Sequence, residues 1–251
     1  MQIFLATAIG IFVLAASVVG LRLLALARRT RQLPELLVGS GFALIGLLGY
    51  PLAMGSGFGR GTVAEIHFAA WLAGVLLMNG GLACLWTFTA LVFRPGRPWA
   101  LALVAALSVA GLASALGSFS ALSDAPPEML SFRVAPYWAA LGQLSSAAGF
   151  AWIGVESRQQ LGMARRRQAL GLSDPVVSNR FLLWVLFSGS TLGMNVANSG
   201  ALLAGVSAVE SLPVQAAMAV LGLSASACMY LAFLPPAAYR RSLVRAREIA
   251  Q

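Results

Sequence analysis

Residues 67–98 read HFAAWLAGVLLMNGGLACLWTFTALVFRPGRP, and this stretch decides the fold class. From His67 to Phe93 it carries no charged residue, and it is longer than the roughly 20 residues that a helix needs to cross a bilayer. It then ends in RPGRP at residues 94–98, a basic sequence that cannot be helical and predicts a tight turn. The pattern is typical of a transmembrane helix that stops at the membrane surface.

The same pattern recurs along the chain and divides it into seven apolar segments. The 251 residues are 59% hydrophobic and 10% charged, whereas a soluble domain usually carries about 25% charged residues. We therefore predict an all-α, polytopic bundle of seven transmembrane helices over residues 1–239, followed by a short basic tail over residues 240–251. The predicted spans are Ile3–Ala27, Pro34–Met54, His67–Phe93, Trp99–Leu116, Ala135–Val155, Phe181–Val206 and Pro213–Ala238.

Prolines mark several of the predicted helix boundaries. Pro213 fits the first turn of the seventh span, and Asp174 followed by Pro175 offers a cap and a starting proline before the sixth. The proline pair at residues 235–236 predicts a kink or an end of the last helix, because proline lacks the amide donor and clashes with the preceding turn. After it, residues 242–250 have the pattern of a basic amphipathic helix that lies at the membrane surface.

The arginines predict the orientation of the bundle. All seventeen basic residues are arginine, and the net charge of +9 first raises the question of nucleic acid binding. Fourteen of them lie in the first, third and fifth connections and in the tail, while the other connections hold only Arg60 and Arg133. The positive-inside rule then places the N-terminus outside and the C-terminus in the cytoplasm, in a bacterial inner membrane. Anionic lipid headgroups, rather than nucleic acid, are the expected electrostatic partner.

Missing residue types exclude several chemistries. The chain has no lysine for a retinal Schiff base, and His67 is its only histidine, which excludes bis-histidine haem and histidine-rich zinc sites. It has no phosphate-binding loop, and no carboxylate falls near the middle of a span, which argues against an ion pump. We expect no enzyme activity, no cofactor and no metal. Cys84 and Cys228 share a predicted depth, either as neighbours or as two small apolar core residues.

Three asparagines and the histidine are the candidate ligand residues. Asn79 lies near the middle of the third span, and Asn195 and Asn198 lie one helical turn apart on one face of the sixth. A buried amide needs partners inside a membrane, so these side chains either hold helices together or line a ligand pocket. His67 lies at the outer end of the third span, within a rim that is either an interfacial anchor or the mouth of a sensing site.

Two cytoplasmic stretches carry a resemblance to a known class of proteins. FLPPAAYRR at residues 233–241 and SDPVVSNRF at residues 173–181 resemble parts of the seven-helix membrane regions that precede histidine kinase or related output domains in bacterial sensors. The resemblance implies a sensor- or receptor-like protein that relays an outer or intramembrane stimulus to the cytoplasm. This sequence departs from the pattern because it carries no output domain, so we expect a separate cytoplasmic signalling partner.

The residues that would contact this partner, or lipid, are basic. The candidates are Arg165, Arg166, Arg167, Arg240 and Arg241. Two other functions stay open at this point. One is a small-solute transporter or facilitator whose path the three asparagines line, and the other is a non-catalytic scaffold or accessory subunit.

Overall fold

The computed structural model describes residues 2–56, 64–123, 136–172, 174–206 and 211–249, and all the regular structure in these ranges is helical. The elements are α1 (Gln2–Thr30), α2 (Leu33–Phe42), a π-helical stretch (Ala43–Gly49), α3 (Tyr50–Gly55), α4 (Ala64–Phe93), α5 (Pro98–Ser123), α6 (Pro136–Ala169), α7 (Pro175–Leu203), α8 (Leu212–Phe233) and α9 (Ala237–Ile249).

Within the described ranges, six helical segments are long and apolar enough to cross a membrane, which makes the chain a multi-pass membrane protein. They are Phe4–Thr30, Leu33–Gly55, His67–Phe93, Pro98–Ser123, Pro175–Leu203 and Leu212–Phe233. The predicted all-α class is confirmed. The fifth predicted span corresponds to α6, which is not among the six, because Gln143, Ser145 and Ser146 lower the apolarity of its membrane-length part.

The second predicted span corresponds to Leu33–Gly55, one continuous helical rod with a widened centre, and we call it the second rod. Across Ala43–Gly49 the helix is π-helical, and the Tyr50 amide donates to the Ile45 carbonyl five residues back. Pro51 follows at once and has no amide proton to give to the preceding turn. The wider π-helical turn therefore lies next to the point where proline removes one of the i to i−4 hydrogen bonds of an α-helix.

The predicted turn signals are confirmed. Helix α4 ends at Phe93 and α5 begins at Pro98, with residues 94–97 of the RPGRP sequence between them. The Asp174 carboxylate caps α7 by accepting a hydrogen bond of 2.8 Å from the Val176 amide. Helix α8 ends at Phe233, two residues before the proline pair, and α9 follows as a separate helix.

Four helix ends differ from the predicted span boundaries by five residues or more. Helix α5 ends at Ser123 rather than Leu116, α6 ends at Ala169 rather than Val155, α7 begins at Pro175 rather than Phe181, and α8 ends at Phe233 rather than Ala238. The apolar residues of a span end where the lipid would end, whereas the helix itself continues to a capping residue or a proline. Arginine, glutamine and alanine are good helix formers, so α6 continues into its basic stretch.

The long helices pack in chain order into a closed ring. Each helix contacts its neighbour along the chain, and α8 packs against α1. Helices α5 and α6 run antiparallel: the ring of Trp99 contacts that of Trp152 at 6.1 Å, and near the other end Trp138 lies against Gly117. We define the basic end of the bundle as the end that holds the α4–α5 turn, the α6–α7 turn and α9.

Three pairs of glycines bring the second rod into backbone contact with both of its neighbours. A methyl group at Gly20 of α1 would lie 2.6 Å from the Ala43 amide nitrogen, and one at Gly74 of α4 would lie 2.5 Å from the Ala53 nitrogen. These glycine contacts pair α1 with the rod and the rod with α4, as is common where membrane helices pack closely. The pairs are Gly20 with Gly39, Gly41 with Gly81, and Gly49 with Gly74.

Aromatic rings fill the interior toward the basic end. The ring of Phe42 contacts those of Trp184, Phe187 and Phe233 at centroid distances of 5.8 to 6.4 Å, and Trp184 also stacks on Phe88 at 5.9 Å. The gap beside this cluster is too small to hold a water molecule. This part of the bundle is therefore a packed core.

Candidate functional site

The amide of Asn79 packs closely against α5 at Gly111. Its Nδ2 donates to the Val75 carbonyl of its own helix at 3.0 Å. A methyl group at Gly111 of α5 would lie 2.2 Å from its Oδ1, so the amide occupies the space that a side chain on α5 would need. Ser114, one turn further along α5, makes a separate polar contact with α6 by donating its hydroxyl to the Trp138 carbonyl at 2.7 Å.

The structure does not bring the other two asparagines to the same place. Asn195 is buried in α7 and donates to the Thr191 carbonyl of its own helix at 2.9 Å. Asn198 is partly exposed and has no hydrogen-bond partner within the described ranges. The polar link from α7 to α8 is made instead by Ser190, whose hydroxyl lies 3.1 Å from that of Ser224.

His67 lies partly exposed near the start of α4, at the end opposite the basic end. One residue further on, Phe68 contacts Trp71 and Phe119. Five residues of the predicted rim lie outside the described ranges, namely Arg60, Asp124, Glu128, Arg133 and Glu210. The sensing mouth therefore stays a prediction.

A buried ion pair occupies the basic end. The Nε of Arg94 lies 2.8 Å from Glu156 Oε1, and its Nη2 donates to Gln159 Oε1 at 2.8 Å. Glu156 is 3% exposed and Arg94 is 35% exposed. Trp152, one turn earlier on α6, donates its indole N–H to the same carboxylate oxygen at 3.1 Å. A carboxylate so far from water is retained only when paired and hydrogen-bonded, and both conditions are met here.

Two tryptophans complete this cluster and join three elements. The guanidinium carbon of Arg94 lies 5.9 Å from the ring centroid of Trp99, within the range of a cation–π contact. Trp99 in turn packs on Trp152. The cluster therefore fixes the α4–α5 turn and the start of α5 to α6. Its contacts are structural, and we call it the interlock.

Two further hydrogen bonds continue from this ion pair toward the tail. Ser178 near the start of α7 donates to Gln168 Oε1 of α6, and Tyr239 of α9 donates its hydroxyl to Asn179 Oδ1 of α7 at 3.1 Å. We call these two bonds, together with the Arg94–Glu156 pair, the basic-end linkage. It connects the α4–α5 turn to α6, α6 to α7, and α7 to α9.

The five candidate contact arginines all lie at the basic end. Arg165, Arg166, Arg167, Arg240 and Arg241 are exposed, and none of them forms an ion pair with a residue in the described ranges. Their guanidinium groups are available to an external anionic partner.

The two cysteines are free thiols. Cys228 lies beside the aromatic gap with Phe42 and Trp184, while Cys84 is partly buried on α4. Helix α8 packs mainly on α7 and α1, and α4 packs on the second rod and α5, so the two helices have different neighbours. Within the described residues, no three histidine, cysteine or acidic side chains gather in an arrangement that could hold a metal ion.

Sequence reasoning missed the Arg94–Glu156 pair. It counted Glu156 among the carboxylates at span ends, without a partner. A usable signal was present, because Trp152 and Glu156 stand four residues apart on one helix face and Arg94 is in a turn at the same predicted end.

Comparison with protein-family models, with characterised proteins and with solved structures finds no match to this chain.

Proposed function

We propose that this chain is a seven-span membrane protein of sensor- or receptor-like type, with its basic end in the cytoplasm of a bacterial cell. Three separate observations support the three parts of the proposal, namely the span number, the orientation and the relay.

The span that would raise the number from six to seven is α6, the fifth predicted span in chain order. Its contacts with α5 extend from Trp99 to Gly117, which is about 27 Å of helix and close to the thickness of a hydrocarbon core. Because α5 is apolar enough to cross, its antiparallel partner occupies the same depth. The polar residues Ser145 and Glu156 of α6 are buried against other helices, so they are not presented to lipid.

The orientation follows from the arginines. If α6 crosses, alternate connections share one side, and fourteen of the seventeen arginines fall on that side. Arginine-rich connections stay in the cytoplasm, which puts the N-terminus outside.

The basic-end linkage is the observation that carries the relay. Hydrogen bonds and one buried ion pair join the α4–α5 turn, α6, α7 and α9 in sequence. A shift of α6 against α5 is then transmitted to the tail, because each element is fixed to the next by a specific contact. A stimulus that acts within the bundle or at its outer rim would use this route to reach a cytoplasmic partner.

A solute path has less support. The Asn79 side chain packs between α4 and α5 and donates to Val75, and the Asn195 side chain donates to a carbonyl of its own helix, α7. The interior at the basic end is packed with aromatic rings. Two of the three amides that a transporter would offer to a solute thus already donate to carbonyls of their own helices.

Spin-label distances test the relay. In a cysteine-free background, labels at Pro95→Cys and Ser242→Cys report the distance from the α4–α5 turn to α9, measured by pulsed electron spin resonance in nanodiscs. We expect Glu156→Gln to shift or broaden this distance distribution, because it removes the charge that fixes α6. Arg97→Gln, in the same turn but exposed, is the control and should leave the distribution unchanged. A distribution unaffected by Glu156→Gln would refute the relay.

A further inference from the structure

We infer that the tip of the α6–α7 hairpin docks a cytoplasmic protein whose surface offers an apolar groove edged by carboxylates. We call residues 163–172 and 174–177 the hairpin tip. The inference rests on the proposed function in one respect, namely that the basic end, and with it the hairpin tip, lies in the cytoplasm. It deepens that proposal by assigning the docking surface and the chemistry of the partner.

The tip extends beyond the membrane surface. The cluster of Arg94, Trp99 and Glu156 has the composition of a membrane–water interface. The arginines at 165–167 follow Glu156 by nine to eleven residues of continuous helix, which places them about 14 to 17 Å further along the axis. A headgroup layer is only about 5 to 8 Å thick, so these arginines lie past the lipid headgroups.

Large apolar side chains are exposed at the same place. Leu170 is 73% exposed and Leu172 is 76% exposed, and Met163 and Val177 are also exposed. Elsewhere on the bundle, exposed leucines face lipid, which covers them. At the tip no lipid is within reach, and a cluster of exposed apolar side chains in water marks a contact surface.

The charge around these leucines is positive and not neutralised. Arg165, Arg166 and Arg167 are exposed, and their three positive charges outnumber the single negative charge of Asp174, whose carboxylate caps α7. An apolar centre with a charged rim is the usual anatomy of a protein interface. The complementary surface is apolar in the middle and acidic at its edge.

The tip is rigid enough to serve as a preformed surface. Leu161 and Ala164 are buried, and Ser178 donates to Gln168 across the hairpin. Helix α6 ends in a Schellman arrangement: the Leu172 amide donates to the Arg167 carbonyl at 2.9 Å, and Gly171 has a φ of +73°, which glycine adopts without strain. The position of Leu172 is thereby fixed, which lowers the entropy cost of binding.

A photocrosslinking amino acid at Leu172, in the full chain in its native membrane, tests the inference. We expect a protein adduct whose crosslinked segment, identified by mass spectrometry, is apolar and flanked by Asp or Glu. Reversing the charge of the three arginines at 165–167 to glutamate should reduce the adduct by roughly tenfold, while changing them to lysine should preserve it. The same crosslinker at Val109, exposed in the middle of α5, is the control for lipid contact.

Three results would overturn the inference: adducts with lipid alone, adducts only with a second copy of this chain, and no adduct. A protein adduct without an acidic segment, or one that charge reversal leaves intact, would also contradict it. A spin label at Leu172 in vesicles of phosphatidylcholine and phosphatidylglycerol gives a second measurement. We expect collision with a water-soluble relaxation agent, and burial in the bilayer would assign the tip to the membrane.

The two experiments distinguish a failure of the docking inference from a failure of the proposed relay. If the acidic adduct forms but Glu156→Gln leaves the distance between Pro95→Cys and Ser242→Cys unchanged, the docking surface stands and the relay fails. If the distance responds but no acidic adduct forms, only the docking inference fails.

Discussion

Replacing Arg94 with alanine is expected to destabilise the bundle more than replacing any of its exposed arginines. The change leaves the Glu156 carboxylate buried, with the Trp152 indole as its remaining hydrogen-bond donor. Removing one partner of a buried pair typically costs 3 to 5 kcal/mol. Because Arg94 is 35% exposed and water screens part of the attraction, we expect about 3 kcal/mol.

Unfolding in a mixed-micelle denaturant series measures this loss. Arg97→Ala is the matched control, because it removes an exposed arginine from the same turn and should change the stability by less than about 0.5 kcal/mol. The double variant Arg94→Gln with Glu156→Gln should recover most of the loss, because neither side then holds an unpaired charge. Equal effects of Arg94→Ala and Arg97→Ala would show that the ion pair contributes nothing.

Replacing Gly74 with alanine is expected to separate α4 from the second rod. The new methyl group would lie 2.5 Å from the Ala53 nitrogen and 2.7 Å from the Gly49 carbonyl oxygen, and both are backbone atoms that no rotamer change can move. Forcing extra volume into a packed contact costs about 1 to 3 kcal/mol. We therefore expect a loss of stability in this range.

The same substitution at Gly189 should have the opposite sign. Gly189 lies inside α7, with nothing within 4 Å of the position that a methyl group would take. Alanine is the better helix former there, by up to about 1 kcal/mol. Thermal unfolding of the two variants in the same detergent makes the comparison. If Gly74→Ala is as stable as Gly189→Ala, the glycine contact between the two helices is not as close as described.

The sequence was sufficient for those features that depend on local composition. The uncharged stretch from His67 to Phe93, the RPGRP turn, the Asp174 cap and the proline pair at residues 235–236 each follow from residues that are adjacent in the chain. Helix length was less predictable, because apolarity ends at the edge of lipid while hydrogen bonding continues. This is why α6 extends to Ala169, well beyond the predicted Val155.

The interlock at the basic end was not predictable in the same way. Arg94 and Glu156 are 62 residues apart, and their contact depends on how α5 places the α4–α5 turn against α6. The asparagines illustrate the converse. The residue type of the asparagines indicated buried polar contacts. Whether Asn79 lines a pocket or packs against a helix depended on Gly111 of α5, which has no side chain and so lets the two helices approach at this point.

Accessibility of single cysteines tests the proposed topology most directly. In a background without Cys84 and Cys228, we would place one cysteine at Pro95 in the α4–α5 turn and another at Ala169 at the end of α6. A membrane-impermeant maleimide is then applied to intact cells and to permeabilised cells. If α6 crosses the membrane and the basic end is cytoplasmic, neither cysteine reacts in intact cells and both react after permeabilisation. Reaction of Ala169→Cys from outside, with Pro95→Cys protected, would mean that α6 does not cross, and would contradict both the seven-span topology and the relay.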